Sequence, residues 1–278
     1  MNNPLFSVLI AQYNNGKYLQ EAINSVKAQT YTNWEIILVD DASTDNSKEL
    51  YKLYEDDPRI KIFYNEVNRG CGYTKRRCVE LAIGEICGFL DPDDLITPNA
   101  LETMVNLHSQ NEQASLIYSN YIQTDENLKK RKKFGPHPLL GFDYLTSHTG
   151  YISHFATFKR NSYFKTQGID AKYKLAVDQD LYYKLEEVGS VIYTNSYLYI
   201  YRIHAGGISV NDNELAAFSW KIVAIIDACK RRNIDFEKII SKDLYYKFLY
   251  CYRYDIKIGK ILLYPLRKLK KLFTIILK

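Results

Sequence analysis

Four short apolar runs in the first third of the chain constrain the fold more than any other feature. They occupy residues 6–10, 34–39, 60–63 and 86–90, and most of them are rich in β-branched side chains. Runs of this length and composition are typical of strands buried on both faces of a sheet. Helical patterns lie between them, at residues 18–29, 47–54 and 74–82. Strand and helix in alternation predict βαβ units and an α/β fold with a parallel sheet.

Polar residues follow each of the four predicted strands. They are residues 12–16 after the first, Asp40 and Asp41 after the second, residues 65–72 after the third and residues 91–94 after the fourth. In open parallel sheets, ligands bind beyond the carboxyl ends of the strands. The sequence therefore predicts one binding site at this edge of the sheet.

The pattern changes after residue 110. Further strands are predicted at residues 115–122, 155–158 and 191–201, with a helix at 180–187 and an exposed, solvated loop at the basic run 129–133. From about residue 213 onward the sequence is helical, with long segments at 215–231 and 236–252. We expect a main domain at residues 1–208 and a helical extension at 209–278.

The net charge of +5 is distributed unevenly along the chain. Residues 252–278 alone carry +7, which leaves −2 for the rest and argues against a nucleic-acid partner for the main domain. In this tail, apolar residues recur at helical spacing among lysines and arginines. A basic amphipathic helix of this kind favours contact of residues 256–278 with an anionic membrane surface. The alternative is a helix that packs its leucines on the main domain.

Cysteine usage and hydropathy indicate the cellular compartment of the protein. The five cysteines are odd in number and show no metal-ligand spacing, so we expect reduced thiols in the cytosol. The N-terminus has no basic region of the kind that opens a signal peptide, and no run of about 18 apolar residues occurs. These observations predict a cytoplasmic protein, peripheral at the inner face of the cell membrane if the tail binds lipid.

Three carboxylates, those of Asp91, Asp93 and Asp94, lie within four positions after the fourth apolar run. Carboxylates this close repel one another unless they share a cation, and an all-oxygen cluster suits Mg²⁺ or Mn²⁺. The alternative is that Asp94 or Thr97 caps the helix that follows Pro98.

Groups suited to a nucleotide diphosphate surround this cluster in the predicted topology. Cations for phosphate are available in the segment NRGCGYTKRR, which contains Arg69, Lys75, Arg76 and Arg77. Tyr13 could stack on a base, and the pair at residues 40–41 could accept hydrogen bonds from a base or ribose. Together with the carboxylates, these residues predict a metal and nucleotide-diphosphate site.

The order of motifs resembles a known family. The segment FSVLIAQYNNGKYLQEAINSVKAQTYTNWEIILVDDASTDNS is similar to the opening of the family 2 glycosyltransferases, which have the GT-A fold. The similarity continues through Asn68 and Gly70, GEICGFLDPDD, FKRNSYFKTQGID, VDQDLYYKLEEVG and YRIH. It covers about residues 5–205, so the resemblance implies a Rossmann-like, mostly parallel sheet flanked by helices, with the helical extension beyond it.

The resemblance also implies roles for individual residues on the donor side. Tyr13 would stack on the nucleobase and Asp41 would bond to it, with the backbone near Ala11 contributing. Asn68, Lys75 and Arg76 would lie at the donor, the last two near its phosphates. Asp91 would contact the ribose or the metal, Asp93 would ligate the metal, and His204 would ligate the metal or touch the diphosphate with support from Arg202. Asp94 would support the turn.

The reaction needs a base for the acceptor hydroxyl. The segment VDQDLYYKL offers Asp178 and Asp180, and the family's spacing to the following leucine selects Asp178. Val177 stands where the family usually has a glutamate. We expect Asp180 to cap or solvate the helix, and His154 is where the family lines the acceptor side.

The resemblance therefore implies a metal-dependent inverting glycosyltransferase that uses Mn²⁺ or Mg²⁺. It would move a hexose or N-acetylhexosamine from a nucleotide-sugar, with UDP the family's commonest nucleotide, to a glycan or lipid-linked acceptor in surface polysaccharide or glycolipid synthesis. A sugar nucleotidyltransferase would have a glycine-rich loop after the first strand, where this chain has AQYNNGKY. A non-catalytic nucleotide-sugar-binding protein would be expected to lack the base or the paired aspartates.

Overall fold

The computed structural model of the chain describes residues 3–135, 143–147, 152, 154–206 and 214–239. Contacts divide the chain into two compact units, Met1–Ala205 and Gly206–Lys278. The predicted boundary at residue 208 stays a prediction.

One sheet of nine strands forms the centre of the described part of the first unit. The strands are β1 (Phe6–Gln12), β2 (Trp34–Asp40), β3 (Ile60–Tyr64), β4 (Ile86–Phe89), β5 (Leu95–Ile96), β6 (Ala114–Asp125), β7 (Arg131–Phe134), β8 (Ala156–Lys159) and β9 (Ser190–Ile203). Their order across the sheet is β3-β2-β1-β4-β8-β6-β9-β5, and β7 pairs with β6 off this path.

The first half of the sheet is parallel, as the alternating apolar runs predict. β1 pairs in parallel with β2 and β4, and β2 pairs in parallel with β3. The second half is mixed, because β8 runs antiparallel to β4 and β6 whereas β6 and β9 are parallel. The carboxyl ends of the first four strands therefore meet at one edge, where the sequence predicts the site.

Helices pack around the strands. They are α1 (Gly16–Lys27), α2 (Ser47–Tyr51), α3 (Cys71–Leu81), α4 (Ala100–Gln110), α5 (Tyr144–Ser147), α6 (Arg160–Phe164), α7 (Val177–Glu186) and, in the second unit, α8 (Glu214–Arg231). Helix α1 shows why they pack: Leu19, Ala22, Ile23 and Val26 recur on one face and are fully buried. Burying each larger side chain of this kind contributes about 1.5–3 kcal/mol.

The basic run differs from its predicted loop. Arg131–Phe134 forms strand β7, which pairs antiparallel with β6 after a turn closed by a hydrogen bond from Asp125 N to Lys130 O. Lysines and arginines occur on strands at the edge of a sheet because their charge opposes pairing with another chain. The residues are solvated as expected, but on a strand.

Two predictions fall partly or wholly outside the described residues. The helix expected at 236–252 begins as a 3₁₀ turn at Phe236–Lys238, and the rest of it, like the tail at 256–278, is not among them. Within the described chain, no helix combines the length and the apolar character needed to cross a membrane.

Candidate active site

Asp94 supports the turn after β4 from inside the protein. Its carboxylate is 1% exposed and accepts a hydrogen bond from Arg202 N at 2.8 Å. Burial, followed by the charges of Asp93 and Asp91, raises its pKa well above the usual value. It does not cap α4, whose first turn follows Asn99.

Asp93 meets a histidine at the end of β9. Its Oδ2 lies 2.8 Å from His204 Nε2, and both side chains are largely buried. Burial and the nearby charge of Asp91 raise the pKa of Asp93. The ring of Tyr18 on α1 packs against the His204 ring at 4.7 Å between centroids, so the imidazole is held on both sides.

Lys75 joins the predicted base to the aspartate cluster. Its Nζ lies 2.9 and 3.0 Å from the two carboxylate oxygens of Asp178 and 3.3 Å from Asp91 Oδ1. It also lies 4.9 Å from the centre of the Phe89 ring. The side chain is 6% exposed, whereas Asp178 and Asp91 are about one-third exposed. The base and the aspartate cluster therefore belong to one site.

The charges of this group shift its pKa values. Burial alone would lower the pKa of Lys75, but the carboxylates of Asp178 and Asp91 outweigh it and raise the pKa well above its usual value. Burial likewise opposes ionisation of Asp91, yet Lys75, followed by His154, lowers its pKa. A protonated lysine thus lies beside the ionised carboxylate of Asp91 and in contact with Asp178.

Helix α3 brings Lys75 to this position. The helix begins after Gly70, whose φ of +87° is a backbone conformation that favours glycine. Asp41, which is 3% exposed, accepts hydrogen bonds from Gly70 N and Arg69 N at 2.8 Å and from Asn65 Nδ2 at 2.7 Å. The Asp41 carboxylate therefore fixes the loop before α3. The sequence predicted a contact between Asp41 and a nucleobase, but not this structural role.

Three other predicted donor residues lie at or near the same strand ends. The Tyr13 ring, just beyond β1, is 46% exposed, as a stacking platform would need to be. Ala11 lies within β1, opposite Val39 of β2. Asn68 accepts a hydrogen bond from Gly70 N at 3.1 Å and so belongs to the loop that Asp41 holds.

Two arginines of α3 face away from the cluster. Arg76 donates to Glu80 at 2.8 Å in a pair that is about half exposed. Arg77 donates to the carbonyl of Tyr64 at 2.8 Å. These positions argue against the phosphate contact predicted for Arg76.

Arg202 binds the turn after β4 and stabilises it. Its guanidinium is 3% exposed and donates to the carbonyls of Asp93 and Glu126, each at 2.8 Å, and to the carboxylate of Glu21. It also lies 4.6 Å from the centre of the Tyr18 ring. The predicted supporting role fits these contacts, whereas a direct contact with the donor does not.

Asp180 differs from its prediction as a solvated or capping residue. It is 1% exposed, and Lys184 Nζ lies 2.5 Å from its Oδ2 in a buried pair. Asp178, two residues earlier in the first turn of α7, faces Lys75 instead. The two aspartates of VDQDLYYKL therefore point to different surroundings, and only Asp178 reaches the cluster.

An aromatic group surrounds His154 beside the carboxylates. The His154 ring stacks on Tyr199 and Tyr201, with centroids 4.6 and 5.2 Å apart. Tyr199 Oη accepts a hydrogen bond from Asp91 N at 3.2 Å. Burial lowers the pKa of His154 although Asp91 and Asp178 raise it, so the neutral ring is favoured next to the acidic cluster.

The predicted set of three metal ligands is not assembled. In the residues the structure describes, no group of three or more His, Cys, Asp and Glu side chains is arranged to hold a metal ion. The reason is local: Asp91 pairs with Lys75, whereas Asp93 pairs with His204. Asp93 and His204 nevertheless fit a divalent cation. A carboxylate whose pKa is raised by burial gains from an added positive charge, and substrate phosphates usually complete such sites.

A cavity of about 400 Å³ lies at the opposite ends of the strands, lined by Gly84, His108 and Lys159 among others. His108 Nε2 is 3.0 Å from Thr157 Oγ1, and the ring is 2% exposed. Burial, together with the charge of Lys159, lowers its pKa to about 3. His108 is thus a neutral core residue, remote from the aspartate cluster.

Comparison with known proteins identifies the family. Residues 7–165, more than half of the chain, match the family model described as Glycosyl transferase family 2. The chain belongs to glycosyltransferase family 2. The matched segment contains the strand ends and the aspartate cluster described above, and the resemblance read from the motifs is confirmed.

Curated relatives of this family 2 chain include polysaccharide synthases. It is 30% identical to chondroitin synthase of Escherichia coli over 208 residues, which cover 74% of the chain and 30% of the relative. It is 38% identical to the glycosyltransferase GlyG of Streptococcus pneumoniae over 124 residues, 44% of the chain and 41% of the relative. The chain thus spans less than half the length of these relatives.

Solved structures with the same fold carry nucleotides or nucleotide-sugars. Residues 1–349 of S. aureus TarS in complex with UDP-GlcNAc match with a TM-score of 0.65 and 16% identity, over 88% of the chain and 79% of TarS 1–349. The mannosyltransferase PcManGT of Pyrobaculum calidifontis, in complex with GDP-Man and Mn²⁺, matches with a TM-score of 0.62 and 16% identity, over 90% and 69%. These matches confirm the GT-A fold of the family 2 chain.

Sequence reasoning missed several side chains that shape this family 2 site. Tyr18 packs on His204 and Arg202, Glu21 pairs with Arg202, and Tyr199 binds the backbone of Asp91. Their partners lie more than 100 residues away in the chain, so no local pattern marks them. The nearest signal is the position of Tyr18 beside Leu19 on the buried face of α1.

Proposed function

We propose that this family 2 chain is a metal-dependent inverting glycosyltransferase. It transfers a hexose or N-acetylhexosamine from a nucleotide-sugar to a hydroxyl of a glycan or lipid-linked acceptor, in the synthesis of a surface polysaccharide or glycolipid. The observation that carries the proposal is the Lys75 bridge, because one nitrogen contacts both Asp178 and Asp91. It places a candidate base next to the carboxylates that would hold the donor.

Asp178 accepts the proton of the acceptor hydroxyl as that oxygen attacks the anomeric carbon. A carboxylate on the face of the sugar opposite the leaving group produces inversion in a single displacement. Lys75 keeps the Asp178 carboxylate oriented through two hydrogen bonds. The about one-third exposure of Asp178 leaves it accessible to an acceptor.

Asp93 and His204 hold Mn²⁺ or Mg²⁺, and Asp91 adds negative charge beside them. When bound, the cation neutralises the diphosphate of the leaving nucleotide. The rigid support of this pair favours the assignment: Tyr18 packs against His204, and Arg202 binds the Asp93 carbonyl. The Mn²⁺ in PcManGT supports the choice of metal.

Tyr13, Asp41 and the backbone at Ala11 bind the nucleoside. UDP is the preferred nucleotide, since TarS binds UDP and UDP-GlcNAc, and GDP is the alternative that PcManGT represents. Asn68, in the loop that Asp41 holds, and Lys75, on the helix that follows this loop, complete the edge of the donor site. In this arrangement Arg202 acts on the donor only through Asp93.

The second unit and the tail concern location. We place the catalytic domain at residues 1–208 and the extension at 209–278, and we propose that residues 256–278 bind an anionic membrane at its cytoplasmic face. The basis is the tail charge of +7 with apolar residues at helical spacing. A helix that packs on the catalytic domain remains the competing hypothesis, and vesicle sedimentation of the chain with and without residues 256–278 separates the two.

A thermal-shift panel tests the proposed function. The chain is heated with nucleoside diphosphates and nucleotide-sugars, with and without Mn²⁺. Stabilisation by uridine nucleotides only in the presence of metal is the expected result, since a ligand at about 100 times its Kd adds about 2.7 kcal/mol to the stability of the folded state. No stabilisation by any nucleotide, with or without metal, would count against the assignment.

A further inference from the structure

Two rows of side chains lie on one face of the sheet beside the proposed base. Tyr121 of β6 is directly opposite Phe134 of β7 and Tyr199 of β9. Directly paired residues project from the same face of a sheet, so these three rings form one row. The next row along the strands consists of Tyr201, Gln123 and Lys132. We call these six residues the acceptor face.

The acceptor face is continuous with the site of the reaction. His154 stacks on Tyr199 and Tyr201 and lies edge-on to Tyr121 at 6.1 Å. Tyr199 Oη accepts a hydrogen bond from Asp91 N at 3.2 Å, and Lys75 joins Asp91 to Asp178. A molecule that approaches Asp178 over His154 therefore extends onto Tyr121 and Phe134, whose rings are stacked 5.5 Å apart.

A run of basic residues, 129–133, lies at the far end of the acceptor face from Asp178. All five side chains at residues 129–133 are exposed, and none of the ion pairs within the described residues involves them. Other exposed cations, such as Lys17, Arg59 and Arg76, do pair with carboxylates. Lys132 lies on the acceptor face with its Nζ 4.8 Å from the centre of the Phe134 ring. An unpaired cation beside aromatic rings and an amide is a surface suited to an anionic ligand with apolar C–H faces.

We propose that the acceptor face binds an acidic glycan, with Lys132 at a carboxylate or phosphate group of the acceptor, Gln123 at its hydroxyls and Tyr121 and Phe134 beneath a sugar ring. The inference rests on the proposed function, because it makes the acceptor of that reaction an anionic polymer. A bilayer surface is the competing partner for a basic strand. A glycan and a bilayer should respond differently to the two lysines of this strand. A glycan bound over the base contacts Lys132, whereas a bilayer should contact Lys132 and Lys133 equally.

Lys133 is the matched control. It is adjacent to Lys132 on the same strand, is equally exposed and lies 4.8 Å from an aromatic ring, that of Tyr197. Because successive residues of a strand point to opposite faces, its side chain leaves the sheet on the other side. Lys132→Gln and Lys133→Gln therefore remove the same charge from the same strand, and only the first removes it from the acceptor face.

The experiment measures dissociation constants for the full chain and both variants, with UDP and Mn²⁺ present. Four probes are used: a glucuronate-containing tetrasaccharide, a glycerol phosphate tetramer, neutral cellotetraose and phosphatidylglycerol vesicles. We expect one of the anionic oligomers to bind the unmodified chain about tenfold more tightly than cellotetraose, and Lys132→Gln to remove that advantage. Lys133→Gln should change it by less than about twofold. The oligomer that binds distinguishes carboxylate from phosphate.

Equal weakening by both variants would overturn the proposal, as would binding of cellotetraose as tight as that of the anionic oligomers, or no binding of either. Vesicle binding that falls equally in both variants, without glycan binding, would assign the strand to the membrane instead. Thermal stabilisation by UDP and Mn²⁺ is measured on the same samples. If it occurs without a preference for acidic glycans, only the acceptor inference fails; if it is absent, the proposed function fails and the inference fails with it.

Discussion

The Lys75 bridge makes a prediction that separates two roles for this lysine. Lys75→Gln keeps a polar side chain of similar length but removes the charge that lies between Asp178 and Asp91. A phosphate ligand and a residue that positions the base would respond differently to this change. We expect the second response, because both oxygens of Asp178 already bind the Lys75 nitrogen.

The size of the effect follows from the geometry. Both carboxylates contact one nitrogen, at 2.9 and 3.3 Å, so they lie within about 6 Å of each other. At an effective dielectric constant of about 20, two unit charges at about 6 Å repel by about 3 kcal/mol. Lys75 offsets this repulsion in the intact site. If the same free energy is lost from the transition state, the transfer rate falls by about two orders of magnitude.

The assay is release of nucleoside diphosphate from the nucleotide-sugar selected by the thermal-shift panel, with water as acceptor. Lys75→Gln should lower kcat about 100-fold and change the KM for the donor by less than about threefold. Lys75→Arg should recover part of the rate because it restores the charge. The control is Arg76→Gln, which removes an adjacent but exposed charge paired with Glu80. An unchanged kcat with a tenfold weaker donor affinity would refute the positioning role and restore the phosphate contact predicted from the sequence.

Three further predictions concern other parts of the chain. Asp93→Asn should weaken metal-dependent nucleotide binding by about tenfold or more, whereas Asp178→Asn should leave it near normal and lower transfer by at least about 100-fold; calorimetry and the release assay measure the two. Arg202→Met should destabilise the fold by about 2 kcal/mol and lower Tm by about 4 to 8 °C, because the carbonyls of Asp93 and Glu126 lose the donor that the buried guanidinium supplies. His108, whose folded pKa of about 3 is below the usual 6.5, takes up a proton on unfolding. Stability should therefore be complete above about pH 6.5 and fall below it by up to about 1.4 kcal/mol per pH unit, and less steeply in His108→Gln.

Each of these predictions has an outcome that contradicts it. Equal loss of nucleotide binding in Asp93→Asn and Asp178→Asn would undo the division of roles between metal ligand and base. A Tm for Arg202→Met within about 1 °C of the unmodified chain would show that its buried contacts add nothing. The free energy of unfolding is measured with denaturant as a function of pH. If it falls in parallel for the unmodified chain and His108→Gln, the histidine is protonated in the folded state.

The first half of the fold could be predicted because its signal is local. Each parallel strand is a short apolar run, and each helix between them has a buried face at helical spacing, as in α1. In the second half, the strands expected at 115–122, 155–158 and 191–201 are present as β6, β8 and β9, but the way they pair could not be predicted. β6 and β9 are parallel but separated by β7, α5, β8, α6 and α7, and their register shifts at three places along their length. β5 is only two residues long and β7 is basic, so pairing rather than composition defines them.

The candidate site follows the same division. Asp91 and Asp93 could be selected because they follow a predicted strand, and Asp178 because the resemblance to the family's spacing singles it out. Which carboxylate pairs with which cation could not. Lys75 and Asp178 are 103 positions apart, and Arg202 and Glu21 are 181 apart. A pairing of this kind depends on the path of several loops, which composition does not encode.

The distribution of cations in the folded site identifies the carboxylate at which a metal has most to contribute. Asp91 and Asp178 share Lys75, and the pKa of Asp91 is lowered as a result. Asp94 lies deeper, beneath the turn, where a hard cation with its waters has no access. Among the described side chains, Asp93 pairs with the imidazole of His204, and burial keeps its pKa raised. A divalent cation placed there relieves a penalty that the folded protein otherwise retains, whereas at Asp91 it would compete with an ammonium group already in place. The same argument explains why the D-x-D spacing alone could not assign the ligands: the two aspartates are equivalent in sequence, and the partner that the fold brings to each one makes them different.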